Sequence, residues 1–325
     1  MKVLVTSRSF GREAPEAIRR LESAGIEVVR AAAPNPAPEE LARQIEGFDA
    51  LVVGNDTVNE TVFAADERLK VVHMNGTGLD GIDVEAATRH GVLVCNAPGA
   101  NRNAVAELTV ALMLDVARSV HRYASALDDG RWERSRGVEV TGKTVGILGL
   151  GHIGKRVVEL LTGFEIEAIG FDSIPDIAWA EAAGVELCAS ADDVFARSDF
   201  LVLTLPLTEE TRHIVNEATL DLMKPTAYLI NTARGGLVDT EALRRAVVDR
   251  KIAGAALDAY DQEPLPPDSP LLGLGLLLTP HLAASSRESA ASVSRIVADH
   301  LIDILLTGGT GRAVNASEVA IRQSN

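Results

Sequence analysis

Cysteine is nearly absent, with only Cys95 and Cys188 among 325 residues. Each lies in an apolar, strand-like run, so both are expected as small core residues rather than as a disulfide. The expected compartment is the reducing cytoplasm. The seven histidines are scattered, and neither an H-x-x-x-H nor a C-x-x-C spacing occurs, so no structural or catalytic metal is expected. No apolar run approaches the roughly 20 residues of a membrane span. The opening Met1–Thr6 reads as a strand and is too short and wrongly flanked for a signal peptide. Cations are also in deficit: 31 Lys and Arg stand against 46 Asp and Glu, a net charge of −15. A nucleic-acid partner needs clustered basic side chains and is not expected. The acidity suits solubility, and any anion must be held by local groups. Internal repeats and low-complexity blocks are absent too.

What is present is a regular alternation. Hydrophobic residues make up 46% of the chain, enough core for two domains at roughly 100–200 residues each. Short Val-rich runs (Val3–Val5, Ile26–Val29, Ala50–Val53, Val71–Met74, Val92–Cys95) alternate with helical periodicities such as Pro15–Ala24 and Pro38–Ile45. That pattern predicts a parallel sheet covered by helices on both faces. Pro98-Gly99 interrupts it, and a long helix follows, with Val105, Leu108, Leu112, Val116 and Val120 on one stripe. Asp128–Val140 is polar and irregular. A second alternation starts at Thr144, with later strands at Val185–Ala189, Phe200–Leu205, Ala227–Asn231, Ala255–Leu257 and Leu276–Leu278. Ser190–Asp193 and Asp239-Thr240 read as helix starts, and Ser285-Ser286-Arg287-Glu288 as a capping box opening the last helix. That helix has an apolar stripe (Val293, Ile296, Val297, Leu301, Ile304, Leu305) and is expected to return to the first unit. The expected fold class is therefore α/β: two Rossmann-like or flavodoxin-like doubly wound parallel-sheet domains with a cleft between them. Residues 1–98 plus 286–325 form one domain and 99–285 the other.

The most informative stretch is Thr144–Gly154. An apolar strand, Val145–Leu148, runs into Gly149, Gly151 and Gly154 at G-x-G-x-x-G spacing, and helical periodicity follows from Ile153. Gly149 permits a sharp turn, Gly151 a close approach of backbone to a pyrophosphate, and Gly154 tight helix–strand packing. The helix start offers free N–H groups and the positive end of a dipole. A second strand, Glu167–Phe171, ends in Asp172, about where an acid meets ribose hydroxyls. A carboxylate there repels a 2′-phosphate, and Ser173 stands where an arginine would argue the other way, so NAD(H) is expected over NADP(H).

Several further motifs occur in order: Asn75-Gly76-Thr77-Gly78-Leu79-Asp80, Asn96-Ala97-Pro98-Gly99, Ala106-Glu107, Leu205-Pro206-Leu207-Thr208, Asn231-Thr232-Ala233-Arg234-Gly235-Gly236, Asp258-Ala259-Tyr260-Asp261-Gln262-Glu263-Pro264 and Thr279-Pro280-His281. With the glycine loop, they make the chain resemble the NAD-dependent D-2-hydroxyacid dehydrogenases, especially the phosphoglycerate dehydrogenase-like branch. The resemblance covers nearly the whole length. It implies an interrupted two-domain layout, a dimer or a tetramer with a homodimer favoured, and a catalytic set of Arg234, Glu263 and His281. Arg234 would hold a substrate carboxylate with its planar fork. His281 would carry the proton, and Glu263 would orient it. The resemblance also implies cofactor contacts at Gly149, Gly151, His152, Ile153, Gly154, Asp172, Pro206, Thr232, Ala233 and Asp258. The backbone of Asn75, Gly76, Thr77 and Gly78 would form a small nest for the substrate carboxylate.

The substrate is less legible. Phosphoglycerate dehydrogenases usually carry an arginine where this chain has Met74, and a basic residue after the third strand, where it has Gly54-Asn55-Asp56. No regulatory domain is expected after residue 325. Arg8, Arg102 and Arg134 are the other candidates to meet a distal anion. The expected partner is a small 2-oxo or 2-hydroxy acid, favoured with a second anionic group such as a phosphate or phosphonate. Glyoxylate or hydroxypyruvate reduction, 3-phosphoglycerate oxidation, and oxidation of formate or phosphite are the sister activities. A nucleotide-sensing corepressor on the same scaffold is the non-enzymatic alternative.

Overall fold

The structure is a computed structural model that describes residues 1–33 and 35–323. It separates into two compact units, Met1–Asn101 with Ser285–Asn325, and Arg102–Ala284.

The first unit is a five-stranded sheet: β1 Lys2–Val5, β2 Glu27–Arg30, β3 Ala50–Val53, β4 Val71–Met74 and β5 Leu93–Cys95. All its pairings are parallel, in the order β2-β1-β3-β4-β5. The strands read as unbroken apolar runs because both faces are covered. Val3, Val5, Ala50 and Val52 face one core, whereas Leu4, Leu51 and Val53 face the other. The last long helix, Arg287–Ile302, supplies Val293, Val297 and Leu301 to the first of these cores. Its N-cap is Ser286, whose hydroxyl accepts from the Ser289 N–H. The expected Ser285–Glu288 capping box is therefore shifted by one residue, and Glu288 sits in the first turn, where its charge still favours the helix dipole.

The second unit holds β6 Thr144–Leu148, β7 Glu167–Phe171, β8 Glu186–Leu187, β9 Phe200–Leu203, β10 Tyr228–Asn231, β11 Gly254–Leu257 and β12 Leu277–Leu278. Their order is β12-β11-β10-β9-β6-β7-β8, again all parallel. The order reverses between β6 and β9, which are hydrogen-bonded neighbours. In open α/β sheets such a reversal marks the crevice where ligands bind, beyond the carboxyl ends of the strands.

The helix entering this unit departs from the expected stripe. It runs Arg102–Arg118 and buries Val105, Ala106, Thr109, Leu112, Met113, Val116 and Ala117. Ser119 then takes a left-handed conformation, φ 52°, and a separate helix, Val120–Asp128, begins. Val120 therefore does not continue the stripe; it is 58% exposed. The backbone break at Ser119 rotates the following turn away from the sheet, a reversal that side-chain periodicity cannot register. Residues 131–140 are irregular.

Leu301 is fully buried among β1, β3 and the helix Pro15–Ser23. Leu301→Ala should cost about 2–5 kcal/mol, as other large-to-small core changes do. Amide hydrogen exchange should quicken in β1 and β3 while β6 and β9 keep their protection. Equal acceleration in both sheets would contradict the assignment of this helix to the first core.

Candidate active site

Three neighbouring strands of the second unit end in the residues of interest. Arg234 lies three positions after β10, Glu263 six after β11 and His281 three after β12. Parallel strands deliver their carboxyl ends to one edge of the sheet, so the loops carrying these side chains start side by side.

The β12 loop is held by Asp258, the first residue after β11. Its carboxylate is 1% exposed. One oxygen accepts from the Thr279 hydroxyl at 2.6 Å and the Leu282 N–H at 2.9 Å, and the other accepts from the Ala283 N–H at 2.8 Å. Hydrogen bonds to a charged group contribute about 1.5–3 kcal/mol each. This clamp brackets His281, whose φ of 49° lies in the left-handed region. A non-glycine residue pays about 1–2 kcal/mol there, and the bonds on either side offset that cost. Tyr260 adds a second tie: its hydroxyl lies 3.0 Å from the Leu257 carbonyl and 2.9 Å from that of Thr279. Burial pushes the Tyr260 phenol up to about 12, so it remains a donor at neutral pH.

Glu263 joins the two loops. One carboxylate oxygen accepts from the Tyr260 N–H at 3.0 Å, and the other lies 2.6 Å from His281 Nδ1. With Nδ1–H donating to Glu263, the remaining nitrogen, Nε2, is left to exchange a proton with a ligand. His281 and Glu263 keep 46% and 36% side-chain exposure, so the pair is open to a small molecule.

Arg234 is placed by the turn that follows β10. The Asn231 side chain accepts from the Ala233 N–H and donates to the Arg234 carbonyl, closing that turn. Arg234 donates to the Ala233 carbonyl at 2.9 Å and has a further partner. The next residue must be glycine. A Cβ on Gly235 would run into the Tyr260–Asp261 peptide, well inside van der Waals contact. This backbone-on-backbone approach brings the Arg234 loop against the loop that carries Glu263. Thr232 is buried and its hydroxyl is 2.7 Å from that of Thr109 on the entering helix.

The glycine loop follows β6. Gly149 has φ 92°, and a Cβ there would sit 2.7 Å from the Leu205 nitrogen, beside Pro206. The Thr204 hydroxyl accordingly donates to the Gly149 carbonyl at 2.6 Å. The helix His152–Leu161 starts at Gly151 with no side-chain cap. Its first N–H groups, including those of His152, Ile153 and Gly154, are thus without intrahelical partners. A Cβ on Gly151 would meet nothing within 4 Å, so the cradle is open on that side and fits the pyrophosphate of a dinucleotide. Asp172, beyond β7, accepts from the Leu150 N–H at 2.7 Å and the Ile174 N–H at 2.9 Å. It therefore braces the glycine turn, and each oxygen retains a lone pair for a ribose hydroxyl.

In the first unit, Asn75 follows β4. Its side-chain N–H₂ donates to Ser7 and Ser9, each at 2.9 Å. These serines flank Arg8, which is itself exposed, in the loop after β1, so its backbone is held beside the Asn75 loop. Residues 75–77 run as bends, with Gly76 outside the positive-φ region. Among the described residues, the N–H groups of Gly76, Thr77 and Gly78 have no internal acceptor. Arg102 begins the entering helix, and Arg134 lies in the exposed 131–139 segment of the second unit; both are exposed.

The Asp258 clamp and the close approach at Gly235 were not readable as such in the sequence. Their signal was confined to an acid directly after a strand and a paired glycine after an arginine.

Comparison with known proteins agrees with this geometry. Residues 110–283 match the family model described as D-isomer specific 2-hydroxyacid dehydrogenase, NAD binding domain. A D-3-phosphoglycerate dehydrogenase of Methanocaldococcus jannaschii is 42% identical over 94% of this chain, and the chain spans 57% of that protein's length. A glyoxylate reductase of Thermofilum pendens is 36% identical over 88% of the chain and 87% of its own length. Among solved structures, the TT0316 protein of Thermus thermophilus superposes with a TM-score of 0.86 at 33% identity, covering 96% of this chain and 99% of the other. The open glycine cradle, the parallel order of the strands and these matches together place the chain in the D-isomer specific 2-hydroxyacid dehydrogenase family, with the family's NAD binding domain.

Proposed function

We propose that the chain interconverts a small 2-oxo acid and its D-2-hydroxy acid with NAD(H). The 2.6 Å contact between His281 Nδ1 and Glu263, at the strand ends of the unit that carries the glycine cradle, is the observation that carries this reading. When bound, the cofactor supplies or accepts the hydride at the substrate's C2. The N–H groups at the start of helix His152–Leu161 hold its pyrophosphate, and Asp172 receives the ribose hydroxyls.

The side chains do the rest. Arg234 pairs with the substrate carboxylate and polarises the adjacent carbonyl. His281, protonated and donating from Nδ1 to Glu263, gives its Nε2 proton to the carbonyl oxygen during reduction. In oxidation, neutral His281 takes the hydroxyl proton at the same nitrogen. Glu263 keeps the ring in one orientation and stabilises the imidazolium. The unsatisfied N–H groups of Gly76, Thr77 and Gly78 are further carboxylate donors, and Arg8 and Arg134 are partners for a second anionic group on the substrate. The relatives support both phosphorylated and small unphosphorylated acids, since they include a D-3-phosphoglycerate dehydrogenase and a glyoxylate reductase. Met74, 9% exposed, offers no charge to a phosphate. We further propose that the protein works in the cytoplasm, as a homodimer; no helix among the described residues is long and apolar enough to cross a membrane.

A screen of 2-oxo acids with NADH, read as loss of nicotinamide absorbance, tests the activity. On the best substrate, His281→Ala should lower kcat by about 10²–10⁴-fold, the usual share of general acid–base catalysis, with NADH affinity nearly unchanged by fluorescence titration. Unchanged turnover would discard the proton-carrier role. NADH should exceed NADPH in kcat/KM, and Asp172→Asn should narrow the ratio by about tenfold, or about 1.4 kcal/mol; a preference for NADPH in the parent protein would refute the role of Asp172. Arg8→Ala and Arg134→Ala should each raise KM for a substrate with a second anionic group. Normal KM in both variants would remove that group from the substrate description.

A further inference from the structure

The first unit holds a cluster of ligating side chains that the proposed reaction does not use. His73 on β4 and Cys95 on β5 are directly paired in the parallel register, so their side chains share one face of the sheet. His300, from the helix Arg287–Ile302, comes down on that face. One ligand atom from each of the three residues lies within 4.8 Å of the other two.

We propose that His73, Cys95 and His300 form a binding site for a divalent transition metal of the zinc class, tying β4, β5 and the last long helix together. Three features support it. The first is the donor set. Imidazole nitrogen and thiolate sulfur select borderline metals such as Zn²⁺ and Co²⁺ over Mg²⁺ or Ca²⁺.

The second is orientation. His73 is fully buried, and its Nδ1–H donates to the Met74 carbonyl at 2.8 Å. A backbone carbonyl on the far nitrogen is the arrangement that fixes the tautomer of metal-bound histidines. His73 Nε2 thereby accepts a hydrogen bond from His300 Nδ1–H at 3.0 Å, a bond that a shared metal ion would replace.

The third is size. Bonds of about 2.0–2.1 Å to nitrogen and about 2.3 Å to sulfur in a tetrahedron put ligand atoms roughly 3.3–3.7 Å apart. The 3.0 Å between the two imidazole nitrogens and the 4.8 Å limit on all three atoms bracket that range. On binding, sulfur–metal and nitrogen–metal bonds form, the thiol proton leaves to solvent, and His300 carries its own proton on Nε2. The loop after the helix lies over the sulfur, and the thiol donates to the Thr310 and Gly311 carbonyls at 3.8 and 3.6 Å, bonds given up when its proton leaves; a fourth position would be taken by water, as in open zinc sites. No local spacing announces the site, because the two histidines are 227 positions apart.

The test uses the full chain, stripped with a chelator and titrated with Co²⁺. We expect one equivalent to bind at micromolar concentration, with a thiolate-to-cobalt charge-transfer band in the near ultraviolet and visible bands of tetrahedral cobalt, both bleached by one equivalent of Zn²⁺. Cys95→Ser should abolish the charge-transfer band. His300→Gln, at a partly exposed position, should weaken binding at least about tenfold, as losses around a metal site do. Circular dichroism establishes that each variant is folded, and either variant alone suffices if the other is not. Three results would overturn the proposal: no Co²⁺ binding, binding without the thiolate band, as surface carboxylates would give, or a band that persists in folded Cys95→Ser.

Discussion

A parallel sheet sends every strand's carboxyl end to the same edge, and the candidate site depends on that constraint. In the second unit the edge collects the glycine cradle after β6, the Arg234 turn after β10, the Glu263 loop after β11 and the His281 loop after β12. None of these segments is regular structure. Each is held by bonds to its neighbour: Asp258 to Thr279, Leu282 and Ala283, the Tyr260 hydroxyl to the Leu257 and Thr279 carbonyls, and Glu263 to the Tyr260 N–H and His281. The strained φ of His281 persists because those bonds over-determine it. A loop free to relax would let the imidazole turn away from Glu263.

The same economy explains why several conspicuous residues do structural work. Asp258, expected as a cofactor contact by resemblance, also ties three donors of the β12 loop with its carboxylate. Thr232 spends its hydroxyl on Thr109. Asp172 braces the glycine turn through the Leu150 and Ile174 N–H groups, and the ribose role proposed for it uses lone pairs these bonds leave over. Positioning and binding are thus divided between side-chain atoms of one residue, which a motif cannot separate.

The first unit shows the complementary case. Its carboxyl edge gathers Ser7, Ser9 and Asn75 into one hydrogen-bonded group, with Arg8 between the two serines in sequence. On one face of the same sheet, β4, β5 and the returning helix bring together His73, Cys95 and His300. The return of residues 287–302 to this core makes that meeting possible, since it carries a histidine from the far end of the chain onto β4.

The sequence alone determined the class of fold and the chemistry at hand. Strand-length apolar runs alternating with helical periodicity require helices on both faces of parallel sheets, and a glycine loop between strand and helix requires a close neighbour or an anion. These are local rules, with all participants within a few residues of one another. What only the tertiary structure decided is which distant atoms meet: Gly235 against the Tyr260–Asp261 peptide, Asp258 beneath His281, and His73 beside His300. The turn at Ser119 and the one-residue shift of the cap to Ser286 belong with these. Each depends on backbone geometry or on contacts between segments far apart in the chain, and neither leaves a periodic trace in the order of side chains.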